Sequence, residues 1–188
     1  FTATSLHSQR ALNSPAKAHA VPARFLARAG PFWPRTLPDH RPDMTHLDAR
    51  RDLAAALRYT ARLGMHEGIA NHYSLAVSSD GAEFLMNPYG RHWSQMRASD
   101  LLLLNAHQTP EGRDDVDPTA WDIHGAIHRR LPHARCIMHL HSKFATALAT
   151  LKDPGLPPVD QNSMRFFNRV AIDDGFDGMG LGDEAERI

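Results

Sequence analysis

Apolar positions in the first patterned part of the chain repeat with a helical period. Leu53, Leu57 and Ala61 are four residues apart, which places them on one face of an α-helix. Thr45 is a candidate N-cap for this helix, and Gly64 is a candidate C-terminal stop. The pattern therefore predicts an amphipathic helix between Thr45 and Gly64.

A β-hairpin and a buried strand are predicted next. Residues 72–77 alternate between apolar and polar side chains, and residues 83–86 form a second short run after a Ser-Asp-Gly turn at 79–81. Residues 101–104 are four consecutive leucines, a pattern typical of a strand that is buried on both faces.

Helices and strands alternate in the second half of the chain. Asp117 and Pro118 form a helix start, with a capping side chain before a proline at the first helical position. The predicted elements are a helix over 119–130, a strand over 136–141, a helix from 143 to 151 after a Ser142 cap, a strand over 165–172 and a helix from 183. Together with the hairpin, this alternation predicts an α/β fold around a mixed sheet.

The overall charge gives no reason to expect a charged partner. The chain has 188 residues, with 21 Lys and Arg against 21 Asp and Glu and with 13 His, so its formal net charge is zero. We therefore expect no nucleic-acid partner and no membrane partner. The single cysteine, Cys136, excludes an intramolecular disulfide and a cysteine-based zinc site.

The first part of the chain differs from the rest in composition. Residues 1–43 contain six basic residues, two acidic residues and six of the 13 prolines, without a sustained period. An Arg-rich, acid-poor segment of this kind is either a transit-like peptide or a translated leader, and we favour the leader. We interpret residues 1–43 as an irregular, disordered leader and residues 44–188 as the folded domain.

The most specific chemical pattern is His139-Leu140-His141 at the end of a predicted strand. Side chains two residues apart on a strand point to the same side, about 6.5–7 Å apart at their origins. Two imidazoles in this arrangement can bind one metal ion, and the end of a strand before a helix is a common ligand position. The alternative is a pair of hydrogen-bonded histidines at the sheet edge.

A metal site needs at least one further protein ligand. His124 and His128 are one helical turn apart, but Gly125 stands where zinc proteases have a glutamate, so we interpret them as a polar stripe on a helix. The histidines upstream of His139 that could supply a third ligand are His66, His72, His92, His107, His124, His128 and His133.

Three segments taken together resemble the class II aldolase/adducin family. Residues 70–74 (Ala-Asn-His-Tyr-Ser) stand where that family has its Gly-Asn-x-Ser strand, and residues 86–90 (Met-Asn-Pro-Tyr-Gly) stand where it has a Thr-Pro-x-Gly turn. The His-x-His-Ser segment follows about twenty residues after the helix at 118–128. The order and spacing match from about Leu53 to the last residue.

This resemblance implies a three-layer α/β/α domain with a mixed central sheet, assembled as a homotetramer with active sites between subunits. In the enzymes of the family, three histidines hold zinc, and the His-x-His pair corresponds to His139 and His141. The third histidine comes from a later Asn-His-Gly segment that this sequence lacks, so we expect an incomplete domain. The implied substrate is a small hydroxy-carbonyl compound, cleaved by metal stabilisation of an enediolate.

The sequence also departs from the family's enzymes. Ala120 stands where the aldolases have the glutamate that transfers protons, so the catalytic acid–base residue is unknown. The family's phosphate-binding residues correspond in part to Asn71, Gly90 and Thr119, which we predict to bind substrate. Tyr89 and Pro118 replace other phosphate-binding positions, so phosphate recognition is not predicted.

Two functions remain open at this stage. The first is a cytoplasmic, metal-dependent class II aldolase-like lyase that uses Zn²⁺ or another divalent metal held by His139 and His141. The second is a non-catalytic adducin-type assembly module with a vestigial metal site, which would have actin or the cytoskeleton as its partner. Ala120 and the altered phosphate positions favour the second function, and the His-x-His pair favours the first.

Overall fold

The computed structural model of the chain describes residues 45–173, 175 and 183–188. Its elements are α1 Leu47–Arg62, β1 His72–Ala76, β2 Glu83–Met86, β3 Leu102–Asn105, α2 Pro118–Arg130, β4 Cys136–His139, α3 Lys143–Ala149, α4 Gln161–Met164 and α5 Asp183–Arg187. No helix within these ranges is both long enough and apolar enough to cross a membrane. The predicted leader, residues 1–43, lies outside the described residues.

The described strands form one sheet in the order β3-β2-β1-β4, and every neighbouring pair is antiparallel. The prediction of a mixed sheet is therefore wrong for these strands. The reason is that α2 leads from β3 at one edge of the sheet to β4 at the other edge, where β4 runs opposite to β1. The strand–helix–strand unit of the sequence is thus not a parallel crossover.

The predicted strand at residues 165–172 is also absent from the structure. Residues 165–168 form turns that continue from α4, through backbone hydrogen bonds from Phe166 to Ser163 and from Phe167 to Met164. The segment is largely exposed and has no described strand beside it. Its apolar side chains follow a strand-like pattern, but a strand forms only where a neighbour supplies hydrogen bonds.

Helices cover both faces of the sheet. The side chains of β1 alternate as the sequence predicts, so that Tyr73 faces α1 while His72 and Ser74 face α2. On the α1 face the core contains Leu53, Leu57, Tyr73, Leu85, Trp93, Met96 and Leu101. On the α2 face it contains Ala76, Phe84, Met86, Leu104, Ala106, Val116 and Ala120.

The ends of α1 agree only partly with the sequence. Gly64 follows the helix with φ = 64°, a conformation that favours glycine, so the predicted stop is confirmed. The predicted cap at Thr45 is wrong, because the N-cap is His46 and its side chain makes no capping hydrogen bond. The Thr45 carbonyl instead accepts a hydrogen bond of 2.7 Å from the buried Arg50 side chain.

The start of α2 is as predicted. The Asp117 carboxylate accepts hydrogen bonds from the backbone N–H groups of Thr119 and Ala120, and Pro118 occupies the first helical position. This cap fixes the first turn of α2 against the sheet, and α2 carries the buried His124 and His128.

The hairpin turn is packed against the end of α2, which gives a test of the fold. Gly81 has φ = 77°, and a Cβ there would overlap the carbonyl oxygen of His128. Gly64 has a similar φ of 64° but open space around it. We expect Gly81→Ala to lower the free energy of unfolding by about 3 kcal/mol and Gly64→Ala by about 1 kcal/mol. Urea denaturation measures both, and equal losses would contradict the packing.

Candidate metal centre

Strand register brings two histidines of the sheet side by side. His72 in β1 is paired with His139 in β4, and residues opposite each other in neighbouring strands point to the same face. Their rings stack with centroids 4.4 Å apart and an angle of 14° between the planes. The ring of His139 is therefore held in place on one side by the ring of His72.

The rings of His139 and His141 converge. Their Nε2 atoms are 2.8 Å apart, and the ring centroids are 4.8 Å apart at an angle of 70°. On its other side, the Nδ1 atom of His141 is 2.6 Å from the Glu67 carboxylate. The two Nε2 atoms are thus within hydrogen-bond distance at the edge of the sheet, as the alternative of a hydrogen-bonded pair predicts, and both are close enough to converge on one ion. One of the two rings also has a carboxylate at its other nitrogen.

Burial keeps His72 and His139 neutral. The pKa of His139 is lowered to about 3, mainly by desolvation and to a smaller extent by the neighbouring His72 and His141, while the Asp117 carboxylate acts in the opposite direction. Desolvation, followed by the effect of His141, lowers the pKa of His72 to about 4. The lone pair of a neutral imidazole is what a metal ion requires. At neutral pH the rings of His72 and His139 are in that form.

A second group of buried histidines lies between β1 and α2. It contains His124 and His128, which the sequence predicts to form a polar stripe on α2. The Ser74 hydroxyl is 2.5 Å from His124 Nδ1 and 2.8 Å from His128 Nε2. His124 Nε2 is 2.8 Å from His72 Nδ1. Desolvation lowers the pKa of His128 to about 4 and that of His124 well below its usual value. We refer to His72, His124, His128 and Ser74 as the histidine chain.

The hydrogen bonds of the histidine chain share a limited number of protons. Each neutral imidazole has one donor and one acceptor nitrogen, and the Ser74 hydroxyl has one proton but can also accept hydrogen bonds. Ser74 can therefore donate to only one of the two histidines that it contacts, and the other histidine must donate to Ser74. A single hydroxyl thus links His124 and His128 in the core.

The helix start near His139 lacks an acid–base side chain at the family position. Ala120 is fully buried, and its N–H group is bound by the Asp117 cap. Asp117 acts on His139 electrostatically, but its carboxylate oxygen Oδ1 accepts hydrogen bonds from the N–H groups of Thr119 and Ala120 and from the Thr119 hydroxyl. Neither residue is an exposed proton donor.

The predicted substrate-binding residues differ in their availability. The Asn71 side chain is buried, and its oxygen accepts a hydrogen bond from the Glu67 N–H group at 2.6 Å. The Thr119 hydroxyl donates to Asp117 at 2.7 Å. Gly90 is exposed, has φ = 78° and has open space around its Cα. Asn71 and Thr119 thus have structural hydrogen bonds, and Gly90 is open to a ligand.

His66 and His92, two further candidates for a third ligand, contact each other. His66 and His92 form a pair of their own, with Nε2 atoms 2.8 Å apart and with His66 stacked on the buried Trp93. The described ranges contain no group of three or more metal-ligating side chains. Within these ranges the candidate site therefore consists of His139 and His141.

An open groove of about 440 Å³ adjoins His141. Its lining includes His66, Glu67, His141 and Lys143. A small molecule in this groove would contact His141 and Glu67 from the surface. Glu67 is the residue of this site that sequence analysis missed, because it lies far from His141 in the sequence and belongs to no local pattern.

Comparisons with known proteins agree with the geometry. Residues 51–188 match the family described as "Class II Aldolase and Adducin N-terminal domain". The decarboxylase NovR of Streptomyces niveus is 32% identical over 139 residues, which are 72% of this chain and 51% of that protein. Alpha-adducin of Rattus norvegicus is 32% identical over 143 residues, which are 74% of this chain and 19% of that protein.

A solved structure also resembles the chain. The L-fuculose 1-phosphate aldolase from Glaciozyma antarctica PI12 has a TM-score of 0.63 and 30% sequence identity, over 81% of this chain and 59% of that chain. The chain spans about half the length of the first curated relatives that it matches. The fold is class II aldolase-like, and the chain belongs to the class II aldolase and adducin N-terminal domain family.

Proposed function

We propose that the protein is a metal-dependent lyase that cleaves a carbon–carbon bond beside a carbonyl group in a small hydroxy-carbonyl compound. The observation that carries this proposal is the convergence of His139 Nε2 and His141 Nε2 at 2.8 Å beside an open groove. Relatives named as a decarboxylase and as an L-fuculose 1-phosphate aldolase support this class of reaction.

The two histidines fit a metal ion as part of its ligand set. A tetrahedral ion with bonds of about 2.0–2.1 Å holds two nitrogens about 3.3 Å apart, which requires a ring movement of about half an ångström. The buried Nδ1 atom of His139 has no described partner, so metal binding at Nε2 would place the proton of this ring on Nδ1. A third ligand would have to come from outside this pair.

The residues around the pair have separate roles in the proposed reaction. A divalent ion held there supplies Lewis-acid polarisation of a substrate carbonyl oxygen. His72 stacks on His139 and orients it, and the groove beside His141 admits the substrate. Ala120 transfers no proton, so another group must be the proton carrier of the proposed reaction.

One observation favours a second function. Ala120 is fully buried, so the first turn of α2 offers no carboxylate at the position where the family's aldolases have one. Alpha-adducin is among the relatives. A protein of this kind would retain the fold as an assembly module that binds a cytoskeletal partner and would cleave no substrate.

Zinc binding and lyase activity of the full-length gene product test the proposal. We expect the double variant His139→Ala/His141→Ala to bind Zn²⁺ at least tenfold more weakly than wild type, because removing ligands removes the site. We also expect it to lose cleavage of a panel of hydroxy-carbonyl compounds and β-keto acids. His107→Ala/His133→Ala, which replaces two exposed histidines, is the matched control. Equal zinc affinity in both double variants would contradict the enzyme function.

A further inference from the structure

We propose that Glu67 is a positioning residue that fixes the tautomer and orientation of His141 for metal binding; this inference rests on the proposed function. Glu67 lies in the loop between α1 and β1, and its Oε2 atom is 2.6 Å from His141 Nδ1. No sequence motif connects these two residues, and the fold alone brings them together.

The contact determines which nitrogen of His141 carries the proton. An ionised carboxylate only accepts hydrogen bonds, so the proton of neutral His141 must lie on Nδ1. The lone pair of His141 is then on Nε2, which faces His139 Nε2 at 2.8 Å. Glu67 thus selects the tautomer whose free lone pair points to the shared position.

The loop that carries Glu67 is anchored to the sheet. The buried Asn71 side chain accepts a hydrogen bond of 2.6 Å from the Glu67 N–H group, and the Glu67 carbonyl accepts one from the Ala70 N–H group. Asn71 directly precedes His72, which stacks on His139. The carboxylate and the pair of histidines are therefore positioned by the same strand.

This arrangement has a known energetic consequence in metal sites. A carboxylate that accepts the second N–H group of a ligating histidine fixes its ring and raises its basicity, and its removal costs about 10–100-fold in metal affinity. Because Glu67 is two-thirds exposed, its removal should affect metal binding much more than stability. Glu67 differs in this respect from a core residue, whose removal lowers stability directly.

The test is a Zn²⁺ titration of the full-length protein against a chelating dye. We expect Glu67→Ala to weaken zinc binding by about 10–100-fold and Glu67→Gln by less, because the amide oxygen still accepts the hydrogen bond without a charge. Glu111→Ala, at an exposed glutamate in the loop before α2, is the matched control and should bind zinc like wild type. Urea denaturation should show equal stability for all three variants.

A second measurement needs no metal. Nitrogen-15 NMR of the metal-free protein should find the proton of His141 on Nδ1 in wild type and a mixture of tautomers in Glu67→Ala. Wild-type zinc affinity in Glu67→Ala, together with weak binding in His139→Ala/His141→Ala, would overturn this inference and leave the proposed function intact. If the double variant binds zinc normally, the proposed function fails, and a His141 proton on Nε2 in wild type would overturn the Glu67 inference independently.

Discussion

Replacing Ser74 by alanine is expected to lower the free energy of unfolding by about 2–6 kcal/mol, because a single hydroxyl joins two buried histidines. Ser74 is fully buried, and its Oγ atom is the partner of both His124 Nδ1 and His128 Nε2. Without it, both nitrogens are left in the core without a partner. Each unsatisfied buried group costs about 1–3 kcal/mol, which gives the expected range.

A hydroxyl on the other face of the sheet provides the control. Thr60 Oγ1 is 2.9 Å from the Tyr73 hydroxyl, and both groups are buried on the α1 side. Thr60→Val preserves the shape and removes the hydrogen bonds of Oγ1 to the Tyr73 hydroxyl and to the Ala56 carbonyl, which leaves one buried hydroxyl without this partner, so we expect a loss of about 1 kcal/mol. Urea denaturation at pH 7.5 measures both variants. If Ser74→Ala lowers the free energy of unfolding no more than Thr60→Val does, Ser74 is not the shared hydrogen-bond partner of both histidines.

Local signals in the sequence were sufficient for much of the fold. The hairpin was predicted because alternation and a Ser-Asp-Gly turn lie within fifteen consecutive residues, and β2 has the predicted bounds. The start of α2 was predicted because Asp117 and Pro118 act within the first turn. These features depend on side chains that contact their own neighbours in sequence.

Features set by distant contacts could not be predicted in this way. The position of β4 at the edge beside β1 depends on pairing between residues more than sixty positions apart. The N-cap of α1 is His46 and not Thr45, and the Thr45 carbonyl accepts a hydrogen bond from Arg50, whose side chain also binds the Leu101 carbonyl at 2.6 Å. Strand pairing and buried hydrogen bonds of this kind leave no periodic pattern in the sequence.

The candidate site also combines features that the local sequence predicts with features that depend on distant contacts. The convergence of His139 and His141 was anticipated from the two-residue period of a strand, although the strand itself ends at His139. The stacking of His72 on His139 follows from register, and the Glu67 contact follows from the path of a loop. Neither contact has a spacing that sequence analysis could use.

The metal-free protein is expected to lose stability as the pH falls from about 6.5 towards 4. An unfolded histidine takes up a proton near pH 6.5, whereas burial lowers the pKa of folded His128 to about 4. Between these values the unfolded state binds more protons, so each unit of acidification removes about 1.4 kcal/mol through His128 alone. The total from His128 is about 3 kcal/mol over this window, and above pH 6.5 the effect disappears.

His124 acts in the same direction, because its pKa is also lowered by burial and by the adjacent His72 and His128. Desolvation is the largest cause of both shifts, because a charged imidazole in the core loses its hydration. We expect His128→Gln to have a pH slope shallower by about 1.4 kcal/mol per unit, since glutamine does not titrate but can still donate to Ser74. The exposed His107→Gln should retain the wild-type slope. Urea denaturation in EDTA at pH 7, 6, 5 and 4.5 measures these slopes, and an unchanged slope in His128→Gln would mean that His128 is not held neutral by the fold.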